Sequence, residues 1–364
     1  MSKSIFIAST GQHVGKTTTC LGLMAGLRKR FQSVGFIKPV GQEHVLTDTG
    51  IRVDKDVLIF HKTFELTASL QSMSPVLFPR GFTRDYLDGK IDAQKLLQAV
   101  ELAHQDLTAH NDMVLVEGTG HTGVGSICDI NNATIAKHLG TDMIMIASGG
   151  LGSSFDAIAV NKALCDQHGV RIAGIILNRV LDDKRQMITD YMAKALKRWD
   201  IPLLGCIPFD PFLSNPSMKD FENLFNACLL SGEHHHMRHF RHTRLIATPL
   251  ETYKKLIRPS QLVITHSSRT DIIESTIKYQ EKHGDLGTGF ILTGEDVPPT
   301  SIIEKLKRAD IPMLFTPINS YRAIQMITSY TAKIQLEDTE KIQEAIQVVE
   351  ANVDFNKICN LTTG

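Results

Sequence analysis

Short apolar runs that end in glycine or polar residues recur along the chain, each followed by a segment with apolar positions at helical spacing. The runs are SIFIAS from Ser4, VGFIKPV from Val34, DMVLVEG from Asp112, DMIMIAS from Asp142, AGIILNRV from Ala173 and PLLGCIPF from Pro202. Branched, continuous runs alternating with helical segments predict an α/β fold, with a parallel sheet covered by helices on both faces. Between the second and third runs, Asp56 to His110 reads as mainly helical. It is interrupted by SPVLFPRGFTRDY, whose prolines, glycine and aromatics suit a loop near a ligand.

The pattern breaks at LSGEHHHMRHFRHTR, Leu230 to Arg244, which has no apolar periodicity. Strand and helix signals restart with RLIATPL, QLVITHSS, GTGFILTGED and IPMLFTPIN. The last segment carries an Asp338 cap and an apolar stripe of Ile342, Ala345, Ile346 and Val349, so it is expected to close the second domain as an amphipathic helix. The expected organisation is a first domain over residues 1–228, a linker over 229–244 and a smaller α/β domain over 245–356.

Composition narrows the partners. A chain of 364 residues suggests two domains. Lysine plus arginine and aspartate plus glutamate number 39 each, which removes any general electrostatic argument for nucleic acid or an anionic membrane. Neither is expected as a partner. The six cysteines are scattered without a Cys-x-x-Cys pair. No secretory leader and no bilayer-length apolar run is expected, so the sequence reads as cytoplasmic.

The segment IASTGQHVGKTTTCLGL, Ile7 to Leu23, joins the first apolar run to a helical pattern through a glycine-bearing turn. Backbone N–H groups of the turn and helix start, from Thr10, Gly11, Gln12, His13, Val14, Gly15, Lys16, Thr17 and Thr18, would face a phosphate chain. Lys16 would reach the outer phosphates, and the Thr17 hydroxyl would be offered to Mg2+. The usual Gly-x-x-x-x-Gly-Lys-Thr spacing is not met, because Thr10 stands where glycine is expected and Gly11 comes one place late. The motif alone leaves open a nucleotide triphosphatase, a ligase that spends ATP on a small substrate, or a nucleotide sensor.

In open parallel sheets ligands gather beyond the carboxyl ends of the strands. Lys38 follows the second run, Glu117 the third, Asn178 the fifth and Pro208 the sixth. Glu117 would complement Thr17 as a Mg2+ ligand, with Asp56 or its neighbour Asp54 supplying a third oxygen. Lys38 would be a second cation over a transferring phosphate. The Asn178 amide, with a donor and an acceptor in one plane, suits the edge of adenine and equally suits a turn.

Two further features carry weaker signals. SGGLGSSFDA, Ser148 to Ala157, could hold an anionic group at a helix start or simply make a tight turn. In GEHHHMRHFRH, His235 and His239 would share a helix face at four-residue spacing, but the run lies in the expected linker without partnering cysteines. Metal binding there is not the expected outcome.

Together, Thr10 to Thr17, KPVGQ from Lys38, VDKDV from Val53, LVEGTG from Leu115, ILNRV from Ile176 and LLGCIPFDP from Leu203 resemble the dethiobiotin-synthetase-like P-loop domain. The resemblance is greatest to the version at the amino end of long bacterial phosphotransacetylases, a family that also has threonine in place of the first glycine. LVITHSSRTDII, GFILTGEDVPP, IPMLFTP and DTEKI resemble the DRTGG domain that follows it there. Departures are Ser267-Ser268 before Arg269, and Glu295 after Thr293-Gly294.

The resemblance implies a P-loop NTPase-type parallel-sheet domain followed by a DRTGG-like domain, with ATP and Mg2+ as cofactors. Lys16 and Lys38 would then be catalytic, and the loop residues with Asn178 and Pro208 would bind nucleotide. Thr17, Asp56 and Glu117 would hold the metal. The chain ends at Gly364, where the acetyl-transferring domain of the long enzymes would begin. A regulatory or accessory protein is therefore expected, paired as a homo-oligomer and acting on a separately encoded phosphotransacetylase. The alternatives are a ligase that activates a carboxylate or carbamate, and an adaptor with a vestigial nucleotide site.

Overall fold

The computed structural model describes residues 3–361. The apolar runs become β1 (Lys3–Ser9), β2 (Val34–Ile37), β3 (Met113–His121), β4 (Asp142–Ser148), β5 (Ile172–Val180) and β6 (Leu203–Pro208). They form one sheet in the order β6-β5-β4-β1-β3-β2, parallel throughout. Continuous burial along β1, β2 and β4 explains why these strands read as unbroken apolar runs instead of alternating ones. The chain leaves β1 towards one side and later returns to the other, so the turn after β1 sits where the winding reverses.

Helices α1 (Lys16–Arg28), α2 (Lys55–Thr63), α3 (Ala93–His110), α4 (Gly152–His168) and α5 (Arg185–Leu196) lie in the crossovers. Helix α2 packs through Phe60, which stacks on Phe36 of β2 at 3.8 Å between ring centres. The segment expected to be a loop, residues 74–86, contributes the short strand Val76–Leu77 and most of the helix Phe82–Leu87.

Contacts divide the chain into two compact units. The first runs to Asp210 and resumes at Ile334, and the second is Pro211–Lys333. The second unit holds α6 (Met218–Phe225), α7 (Thr270–His283), α8 (Thr300–Arg308) and α9 (Ser320–Ser329). Its strands are β7 (Leu229–Ser231), β8 (His242–Leu245), β9 (Gln261–His266), β10 (Gly289–Thr293) and β11 (Met313–Thr316). They form a five-stranded sheet in the order β7-β11-β10-β9-β8, with β7 antiparallel to β11.

Two expectations about organisation meet a different arrangement. Residues 229–244, expected as a linker, are integral to the second unit. Leu229 and Phe240 are buried in its core, and the Ser231 hydroxyl donates to the Ile311 carbonyl at 2.6 Å. The terminal helix α10 (Thr339–Asn352), capped as expected by Asp338, belongs to the first unit. It packs on α1, where Gly22 and Gly26 leave a groove: a Cβ at Gly22 would fall 2.2 Å from Val349 Cβ, and one at Gly26 would fall 2.2 Å from the Phe355 ring. Lys29 and Glu350 add an ion pair at 2.6 Å. Beyond it, Val353 pairs antiparallel with Gly205 on β6, and the Asp354 amide donates to the Leu204 carbonyl at 2.8 Å. Helix α11 (Phe355–Leu361) follows.

Among the described residues, no helix is long and apolar enough to cross a membrane. Cys20, Cys128, Cys165 and Cys206 are free and buried, which is where cysteine acts as a small apolar side chain.

Candidate functional site

The turn from β1 into α1 forms the floor of the site. Gly15 takes a left-handed conformation at φ 90° as the cap of α1, and His13 does the same at φ 58°. The Thr10 amide donates to the Ile146 carbonyl on β4 at 2.9 Å, and the Thr10 carbonyl accepts from Asn161 of α4 at 3.2 Å. Gln12 and His13 are exposed, Val14 is buried, and Thr17 and Thr18 are half-buried. Lys16 folds over the turn, its Nζ donating to the Gly120 carbonyl at 2.8 Å and to the Ser9 hydroxyl at 3.2 Å. Burial lowers its pKa below the ordinary lysine value, although Glu117 opposes the effect.

Beside Lys16 is a compact cluster of charge. Parallel pairing sets Glu117, midway along β3, next to Ile7 of β1. The Thr17 hydroxyl lies within hydrogen-bond distance of both Asp56 Oδ2, at 3.2 Å, and Glu117 Oε1, at 3.1 Å. Asp54 caps α2, accepting from the Asp56 amide at 3.0 Å, which holds the Asp54 carboxylate against the helix start. The Lys38 ammonium is buried between them, 3.0 Å from Asp54 Oδ1 and in direct contact with Asp56.

The electrostatics follow from burial. Desolvation alone would lower the pKa of Lys38, but Asp56, Glu117 and Asp54 outweigh it and raise the value above the ordinary range. Asp56 shows the converse: Lys38 and Thr17 overcome its desolvation and hold the pKa low. Asp54 is raised by burial. Glu117 is pushed up to about 7, chiefly by desolvation, with Lys38 and Lys16 pulling the other way.

One oxygen of Asp54 and one of Glu117 are buried without a hydrogen-bond partner. A buried carboxylate oxygen without a donor is costly unless a cation or proton compensates it. The oxygen set of Thr17, Asp54, Asp56 and Glu117 therefore fits a hard divalent cation that keeps part of its hydration. The sequence left Asp54 and Asp56 as alternatives. In the structure Asp56 touches Thr17, whereas the orphaned oxygen belongs to Asp54.

Asn178 lies at the carboxyl end of β5, its Nδ2 donating to the Val14 carbonyl at 2.8 Å. Pro208 ends β6 at the same edge, and the next residue, Phe209, hydrogen-bonds the Val180 carbonyl at 2.8 Å. The Ser148–Ala157 turn has a packing reason for its glycine, since a Cβ at Gly149 would sit 2.5 Å from the Arg179 carbonyl. That arginine was passed over in the sequence; the available signal was its place directly after Asn178.

The histidines lie outside this site, in the second unit. His235 and His239 do not share a helix face, because only a single 3-10 turn, Glu233–His235, forms there. His234 and His235 instead reach one oxygen of Asp310, at 3.1 and 2.9 Å. These three residues bring potential ligand atoms within 4.8 Å of one another.

The parallel order and the turn after β1 define a P-loop NTPase-type fold. The chain belongs to the AAA domain family, whose model matches residues 3–217, and a DRTGG domain model matches residues 222–330. It is 26% identical over 367 residues to a phosphate acetyltransferase of Pseudomonas putida, covering 97% of this chain and 51% of that one. A Pseudomonas aeruginosa phosphate acetyltransferase is also 26% identical, over 373 residues, with the same two shares. The chain thus spans about half the length of the curated relatives it matches. Among solved structures, the MinD cell division protein of Aquifex aeolicus aligns with a TM-score of 0.38 and 16% identity, covering 58% of this chain and 84% of that one.

Proposed function

We propose that this chain binds Mg-ATP at the carboxyl edge of its first sheet. In this reading it serves as a regulatory or accessory protein, related to the amino-terminal part of phosphotransacetylases and without acetyl transfer of its own. The observation that carries the reading is the convergence of Lys16, Lys38, Thr17, Asp54, Asp56 and Glu117, with two buried carboxylate oxygens left without partners.

Nucleotide phosphates lie against the loop from Thr10 to Thr18, where backbone N–H groups and Lys16 neutralise them. Thr17, Asp56 and Glu117, with Asp54 beside them, would hold the magnesium ion, which would supply positive charge against the phosphates. Asn178 and Pro208 flank the base. Lys38 is already matched by two aspartates, so its charge fixes the carboxylates as much as it faces phosphate. This balance supports sensing or slow hydrolysis over rapid group transfer. Residues 3–210, with the terminal helices from Ile334 onward, supply the nucleotide-binding part, and residues 211–333 the DRTGG-like part. A homo-oligomer and a separately encoded phosphotransacetylase are the proposed partners.

Calorimetry with Mg-ATP, followed by phosphate-release assays with and without candidate amines and carboxylates, tests the reading. Binding with little turnover is expected. Substrate-dependent turnover at ordinary enzyme rates would establish a dethiobiotin-synthetase-like ligase instead, and no binding at millimolar ATP would leave an adaptor.

A further inference from the structure

Two consecutive side chains at the end of β5 hold two consecutive carbonyls of the turn between β1 and α1. Asn178 Nδ2 donates to the Val14 carbonyl at 2.8 Å, and Arg179 Nη1 donates to the His13 carbonyl at 3.3 Å. Neighbouring residues of a strand ordinarily point to opposite faces. Here the alternation is broken, because Arg179 has a left-handed backbone at φ 61°, a conformation that a non-glycine residue adopts only where its surroundings enforce it.

Those surroundings are visible. The Asn178 side-chain oxygen accepts the Arg179 amide at 2.9 Å. Gly149 lets the neighbouring turn close on the Arg179 carbonyl, and the Arg179 guanidinium lies over the Phe209 ring at 5.5 Å. The loop itself alternates conformation, left-handed at His13 and again at Gly15, which is how successive N–H groups are brought to face an anion. A carbonyl held from outside by a side-chain donor cannot turn into that concavity and repel a phosphate.

We propose that Arg179 is a positioning residue: by holding the His13 carbonyl outward beside Asn178, it keeps the loop in its anion-binding conformation before any ligand arrives. The inference rests on the nucleotide reading above and adds a specific consequence. Loss of Arg179 weakens binding of the phosphate chain regardless of the base attached to it.

The test measures affinities for ATP, GTP and inorganic tripolyphosphate, each with Mg2+, in the full chain. Arg179→Gly is the first variant, because glycine takes the left-handed backbone without strain. It is expected to weaken all three ligands by roughly tenfold, the scale of one charge-assisted hydrogen bond. Amide exchange at residues 11–15 of the ligand-free protein is expected to quicken. Arg179→Gln, which restores an N–H donor without the charge, is expected to recover most of both effects.

Unchanged affinities in Arg179→Gly, a change in the ATP-to-GTP ratio alone, or recovery by Arg179→Lys but not by Arg179→Gln would overturn the inference while leaving the nucleotide reading intact. If the wild-type chain binds none of the three ligands, the nucleotide reading fails and this inference fails with it.

Discussion

Thr17 and Glu117 meet across the edge of the first sheet, hydroxyl to carboxylate at 3.1 Å, although a hundred residues of chain separate them. The contact draws an oxygen of α1 and an oxygen of β3 to one point, with the other Glu117 oxygen buried and without a partner.

This geometry makes Glu117 a source of pH dependence. Its carboxyl titrates at about 7 in the folded chain, against an ordinary value of 4.5, so the folded state retains a proton that the unfolded state releases. The stabilisation this gives is complete below the ordinary value and is lost as pH rises through about 7. Melting temperatures of the ligand-free protein between about pH 5 and pH 8 should show that fall, and Glu117→Gln should flatten it. Mg-ATP affinity should rise over the same interval, with proton release visible in calorimetry across buffers. Affinity independent of pH would remove Glu117 from the metal site.

Lys16→Ala is expected to weaken ATP binding by about ten- to a hundredfold. Among the described residues, the fold loses the polar contacts of Lys16 to Gly120 and Ser9. A dissociation constant equal to wild type would refute the phosphate-loop assignment, provided circular dichroism shows the chain folded.

Asn178→Ala should reduce the preference for ATP over GTP, because an amide that contacts the base distinguishes the adenine edge from the guanine edge. Both affinities should also fall modestly, since the Val14 carbonyl loses its donor. Equal affinity for the two nucleotides in the wild-type chain would leave Asn178 with the loop contact alone.

The groove on α1 gives a stability prediction. Gly22→Leu drives a side chain into Val349, whose atoms already lie 2.2 Å from an ideal Cβ at this position. Overpacking of this kind costs about 1–3 kcal/mol. A lowered melting temperature should be accompanied by proteolysis within residues 334–361. A variant as stable and protease-resistant as wild type would show that the terminal helix is not held there.

On the proposed regulatory reading, purified protein is expected to make no acetyl phosphate from acetyl-coenzyme A and phosphate, with or without ATP. Robust product formation, abolished by a substitution in this chain, would overturn the regulatory reading.

Most strands of the first sheet were legible because they are buried on both faces and so leave continuous apolar runs between polar ends. Lys16, Thr17 and Lys38 were legible for a related reason, as each directly follows a strand or opens a helix, and Glu117 stood out as a carboxylate at the end of an apolar run, although the strand continues past it to His121. The choice between Asp54 and Asp56 was not, because it depends on a helix cap that turns one carboxylate towards its own backbone. The stripe of Ile342, Ala345 and Val349 announces that a helix packs but not against what. Its partner surface was present only as Gly22 and Gly26, one helical turn apart. Arg179 escaped notice because its orientation comes from a left-handed backbone, which a sequence pattern does not display.

The pairing of Val353 with Gly205 has a consequence for how the chain stays dispersed. Strand β6 is the last of its sheet, and an uncovered strand of that kind offers a row of amides and carbonyls to any extended peptide, including the same strand of another molecule. Residues 352–354 lie along this row, and Asn352 is held there by Arg185. A fragment cut between the two units would gain no independence from the cut. It would carry an adhesive border, and self-association into insoluble material is its expected first symptom.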